Sequence, residues 1–130
     1  MHALLLRLGI LSLLLLVAGC AASITYSYAD LAPERSVTRL PQPLQQSVNI
    51  KLDTGYSRHL SKGSQWIRIG NLRQGQVYKP YRDIFTVEGS NVHEAYLVVS
   101  DHHLVGFYLP AEHGFFPLRP PLSITFNEQE

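Results

Sequence analysis

From Ser47 to Phe126 the apolar positions recur every second residue. Val48, Ile50 and Leu52 alternate with Asn49 and Lys51, and in an extended chain such residues share one face. The run from Trp66 to Gly70 alternates around Ile67 and Ile69, while Gln76–Tyr78 and Ile84–Val87 are shorter stretches rich in β-formers. Ala95–Val99 and Leu104–Leu109 are the strongest pair, and Ser100-Asp101-His102-His103 between them reads as a tight hairpin. Leu122-Ser123-Ile124-Thr125-Phe126 closes the pattern. Nowhere in this region does a 3.6-residue period persist for three turns, so long helices are not expected. Turn chemistry falls between the runs, at Lys62-Gly63, Asn71–Gly75, Lys79-Pro80, Gly89-Ser90-Asn91, His113-Gly114 and Arg119-Pro120-Pro121. About seven short strands so punctuated predict an all-β domain, a small barrel or sandwich.

Upstream of Ser47 the alternation stops. Pro33, Pro41 and Pro43 interrupt the stretch from Ala21 to Gln46, and Gln42, Gln45 and Gln46 make it polar. Such a segment predicts a flexible tether over residues 20–46 that holds a single domain, residues 47–130, away from whatever carries it. Tyr26, Tyr28 and Leu31 are the side chains of this stretch able to pack on the domain or to sit at a membrane interface.

Residues 1–19 differ in kind. Arg7 supplies a positive charge, Leu8–Ala18 is almost wholly apolar, and Gly19, Cys20, Ala21, Ala22 and Ser23 are small. A charged start, a short apolar core and a small-residue exit make a secretory signal, and the core is shorter than the ~20 residues that span a bilayer. Val17-Ala18-Gly19-Cys20 resembles the lipobox of bacterial lipoproteins. The resemblance implies diacylglycerol on the Cys20 thiol, cleavage before Cys20 and acylation of the new N-terminus. Ala21, where an Asp implies retention in the inner membrane, implies sorting to the outer membrane, with the domain facing the periplasm. Cys20 is also the one cysteine of the chain, so no intramolecular disulfide can form in an oxidising compartment.

A second resemblance concerns the domain. Leu72-Arg73-Gln74-Gly75-Gln76-Val77, followed by Tyr96-Leu97-Val98-Val99-Ser100-Asp101 and Val105-Gly106-Phe107-Tyr108-Leu109, is similar to the layout of bacterial SH3-like domains. It implies a small barrel of a kind often used to bind cell wall or peptides.

Charge is segregated along the chain. Lys51–Arg82 carries seven cations against one anion, and Asp83–Glu130 carries seven anions against one cation. Arg58, Lys62, Arg68, Arg73, Lys79 and Arg82 are therefore a candidate basic surface for an envelope protein, lipopolysaccharide phosphates, wall carboxylates or a second copy of the chain. The bland alternative is that basic strands simply pair beside acidic ones. Trp66, Tyr81 and Phe115 are candidate aromatic partners of that surface, since aromatics and arginines mark interface hot spots; in so small a domain, however, most such aromatics are expected in the core. A formal net charge of +1 and export argue against nucleic acid.

The six histidines invite a metal reading. His93-Glu94 begins like a zincin motif, but Leu97 stands where the second histidine is required. Asp101-His102-His103 could take a metal with help from Glu112 or His113, although adjacent strand residues point to opposite faces. There is no Gly-x-Ser-x-Gly elbow and no glycine-rich phosphate loop. The expectation is a non-enzymatic, cofactor-free binding or assembly module of the envelope, with a small envelope enzyme such as a wall hydrolase, or an inhibitor or immunity lipoprotein, as alternatives.

Overall fold

The structure, a computed structural model, describes residues 22–35 and 40–127. Val17, Ala18, Gly19, Cys20 and Ala21, which carry the signal and lipid-anchor expectations, lie outside the described residues. Among the described residues there is no helix, and every strand pairing is antiparallel. The main sheet runs in the order β1 (Ser27–Tyr28), β12 (Gly114–Ser123), β11 (His103–Leu109), β10 (Tyr96–Ser100), β7 (Gly75–Pro80), β6 (Gln65–Leu72) and β2 (Ala32–Pro33), with β3 (Gln42–Pro43) also paired to β6. It curls into a half-barrel. Two separate hairpins, β4 (Val48–Lys51) with β5 (Ser57–Leu60) and β8 (Thr86–Glu88) with β9 (Val92–Glu94), complete the domain.

The period-two pattern is what fills the half-barrel. Leu97 and Val99 of β10, Phe107 and Leu109 of β11, and Phe116 and Leu118 of β12 point inward and meet Ile50, Leu60 and Val87 from the hairpins and Phe85 just before β8. Val48, Ile50 and Leu52 face this core together, as their alternation requires. The residues between the inward ones form a second, smaller cluster outside: Val77, Tyr96, Val98, Tyr108 and Phe115, with Ala29 and the partly buried Leu31 laid over them. With both faces covered, Tyr96–Val99 is buried at every position and reads as a continuous apolar run.

The tight hairpin is where the sequence places it. Ser100 pairs with His103, and Asp101 and His102 form a two-residue loop at φ +49° and +58°, the left-handed pair of a type I′ turn. In β11, Gly106 is required by a close approach, because a Cβ there would meet the Phe116 carbonyl oxygen at 2.4 Å and the Phe115 ring at 2.6 Å.

Three expectations need correction. The tether of residues 20–46 does not hold for its described part. β1 caps the β12 edge, β2 and β3 cap the β6 edge, and Ile24 and Leu44 are buried in the inner core. Two-residue edge strands are too short to display a period, and proline is tolerated at an edge. The terminal strand is displaced as well: β12 begins at Gly114 and ends at Ser123, and Phe126 makes only a bridge to Leu44. Arg119-Pro120-Pro121, expected as a turn between two runs, lies inside β12, and its prolines fall in the register shift opposite Val105, where no ladder N–H is needed. Finally, Trp66 and Phe115 are not surface residues: both are buried, one in each cluster.

Candidate functional site

The described surface has one place where an exposed apolar side chain, an arginine on an aromatic ring and a small pocket coincide. After β7 the chain turns sharply through Tyr81, Arg82 and Asp83, and Arg82 takes φ +53°, an uncommon conformation for a residue with a side chain. The Asp83 Oδ1 accepts the Ile84 N–H at 2.8 Å and fixes the turn's exit. Phe85 then drops into the core against Trp66, with ring centroids 5.8 Å apart in an edge-on arrangement. Ile84, one residue earlier, is thrown outward and is 72% exposed.

Beside it, a pocket of about 160 Å³ is lined by residues that include Arg58, Ser64, Trp66, Asp83, Ile84 and Phe85. The Arg58 guanidinium lies 4.8 Å from the centre of the Phe85 ring, and Arg82 stacks in the same way on Tyr81 at 4.9 Å. Such contacts contribute about 0.5–1 kcal/mol at exposed sites. Arg58 Nε is buried without a hydrogen-bond partner among the described residues. Trp66 Nε1 donates to Ser64 Oγ at 3.1 Å, so the indole is committed to the pocket wall. Lys62 sits in the turn between Ser61 and Ser64, which both line the pocket.

The six cations thus separate. Arg58 lines the pocket, Lys62 lies between the lining residues Ser61 and Ser64, and Tyr81 and Arg82 lie between Pro80 and Asp83, which also line it. Arg68 pairs with Glu34 at 3.5 Å and donates to Asn71 Oδ1 at 3.2 Å. Lys79 is on the outer face, 5.8 Å from the centre of the Tyr96 ring. Arg73 caps the β6–β7 hairpin at the opposite end of those strands. A single basic face made from all six does not form, because the strands that carry them run in both directions and present both faces. Ile84 was missed by sequence reasoning, which placed it at the start of a short β-rich run, whereas β8 begins at Thr86. The only local signal was the polar pair Arg82-Asp83 just before it.

The histidines disperse in a comparable way. His93 Nδ1 and Glu112 Oε1 are 2.6 Å apart and partly buried, a contact that ties β9 to the turn between β11 and β12. His103 Nδ1 reaches the Asp101 carbonyl at 2.7 Å within its own turn. Glu112 and His113 lie beyond the far end of β11 from that turn, so they cannot complete a metal site with Asp101-His102-His103. No three potential metal-binding side chains come together among the described residues.

A polar cleft of about 370 Å³ near Gln42, Gln76, Ser100 and His102 has Tyr78 in its floor. That ring is buried and stacked on Phe126 at 4.5 Å, so its face is already occupied and offers no platform for a sugar. On the outer sheet face burial, and then the Glu94 carboxylate beside it, pushes the Tyr96 phenol above its ordinary value. Burial, followed by Tyr28 and Asp30, does the same for Tyr108. No protein-family model, curated protein or solved structure matches this chain.

Proposed function

We propose that this chain is a lipid-anchored binding or assembly module of a bacterial envelope, held to the outer membrane through acyl chains on Cys20 and facing the periplasm. It engages a protein partner through the surface around Ile84. The observation that carries the reading is the pairing of a 72% exposed isoleucine with an arginine stacked on Phe85 beside a small pocket. An aliphatic anchor, an arginine and aromatic walls at one spot match the makeup of interface centres. The surrounding Arg58, Lys62 and Arg82 outnumber Asp83, which favours a partner segment offering an apolar side chain and a carboxylate. The segments 72–77 and 96–109, which form adjoining hairpins, support an SH3-like reading of the scaffold.

Two measurements test this. Metabolic labelling with a fatty acid should mark the protein, and Cys20→Ser should abolish both the label and the cleavage; a label retained by the Ser variant overturns the anchor. A photo-crosslinking residue at position 84 in intact cells should give one discrete adduct that the same residue at position 73 does not. Identical adducts from both positions would remove the Ile84 surface from the function.

A further inference from the structure

We infer that the lipid anchor holds the domain on a short leash, so that one end of it rests against the bilayer and the Ile84 surface is held at the other. The inference rests on acylation of Cys20 and adds orientation to it.

The leash is short because the chain joins the fold almost at once. Ser90 N–H donates to the Ala22 carbonyl at 3.2 Å, the Ser23 and Ser90 hydroxyls are 3.0 Å apart, and Ile24 is buried in the inner core. Gly89 permits this, since a Cβ there would meet the Ala22 carbonyl oxygen at 2.7 Å. Ala22 follows Cys20 by two residues, a reach of roughly 7 Å at full extension. The headgroup layer of one leaflet is about 5–7 Å deep. A Cys20 whose acyl chains lie in the hydrocarbon therefore leaves Ala22 at the level of the headgroups, with the folded domain immediately above.

The end that meets the lipid is defined by the hairpin turns. The β8–β9 turn, Gly89–Asn91, abuts Ala22, and Thr54 in the β4–β5 turn donates to the Glu88 carbonyl at 2.6 Å. A cleft of about 530 Å³ joins Ala22, Ser23, Tyr26, Asp53, Thr54 and Arg119 at this end. Tyr26, 44% exposed, lines this cleft, and two further exposed hydrophobic residues flank the turns, Tyr56 at 42% closing the β4–β5 turn and Val92 at 63% just past the β8–β9 turn. Tyrosine is favoured at the membrane interface, where the ring is apolar and the hydroxyl wet. This gives the exposed rings and Val92 one occupant, the surface of the bilayer itself.

Both hairpins open at their other end, where Val48 pairs with Leu60 and Thr86 with Glu94. Leu60 and Phe85 at that end line the pocket beside Ile84. The membrane-facing turns and the partner surface are thus separated by the length of the hairpins, and anchoring at one end points the other into the periplasm.

The test uses the full lipidated protein in vesicles of phosphatidylethanolamine and phosphatidylglycerol. An environment-sensitive fluorophore is placed on Val92→Cys or on Ile84→Cys, Cys20 being blocked by its acyl chain. Brominated lipids should quench the label at position 92 severalfold more than at position 84. A Gly-Ser insert between Ala21 and Ala22 should remove most of that difference while the protein stays on the vesicles. Fatty-acid labelling and flotation, read on the same samples, separate the two claims. Protein without fatty acid fails the anchor and the orientation together. Protein that is acylated and floats, yet shows equal quenching at both positions or a contrast that survives the insert, overturns the orientation alone.

Discussion

The inner face of the main sheet is roofed by two hairpins, whereas among the described residues the outer face is covered by the strip from Ala29 to Leu31. The side chains differ accordingly. Leu97, Phe107 and Leu109 inside are completely buried, while the outer cluster relies on Tyr96, Tyr108 and Phe115, which keep 4–9% of their surface. A thin cover suits tyrosine, whose ring can be buried while its hydroxyl reaches water or a neighbour such as Glu94. The inner cluster holds the domain together. The outer one fastens the strip from Ala29 to Leu31 to it, while Ala22 and Ile24, nearer the chain's start, are held by the β8–β9 turn and the inner core.

That contrast is open to direct attack. Phe107→Ala should cost about 3–5 kcal/mol, the usual range for removing a buried aromatic ring, and its urea midpoint should fall with little change in slope. An equal loss from Tyr108→Ala would erase the distinction between the faces. Leu31→Ala, at the partly buried cover, should cost about 1 kcal/mol. Hydrogen exchange should then accelerate in β1 and β2 while β10 and β11 keep their protection; a uniform acceleration would mean that the strip and the core unfold as one.

Alkaline pH sharpens the comparison further, because the two displaced phenols are both on the outer face. Their folded-state values lie above the ordinary 10.0, so the folded chain keeps protons that the unfolded chain releases. The stability this contributes is complete below pH 10 and is lost as pH rises through the raised values. Unfolding midpoints measured upward from pH 9 should therefore decline, and Tyr96→Phe with Tyr108→Phe should flatten the decline. An unchanged slope in the double variant would assign it elsewhere. The smallest effect belongs to Ile84→Ser, which should leave stability within about 0.5 kcal/mol, as for other exposed positions. A larger loss by thermal or urea unfolding would make Ile84 part of the packing.

Much of the architecture was legible because alternation and turn chemistry are local. The inward set Val48, Ile50 and Leu52, the Ser100–His103 hairpin, the Gly89–Asn91 turn and the absence of long helical periods all depend on residues a few positions apart. The candidate site was only partly legible. Arg58, Lys62, Tyr81 and Arg82 were in the basic and aromatic set, but so were Arg68, Arg73 and Lys79, which the fold sends to other places. Strand direction and hairpin ends make that selection, and neither is written in a charge count.

The sequence by itself determined an all-β chain whose alternating residues line a core, since a strand's two faces follow from backbone geometry alone. Only the tertiary structure decided which neighbours cover those faces. It buried Trp66 and Phe115, carried β12 through its prolines by way of a register shift, and left Ile84 in solvent. It also drew Ile24 and Leu44 from an expected tether into the core. Covering a face and capping an edge are contacts between segments far apart in the chain, and two-residue strands carry too little pattern to announce them.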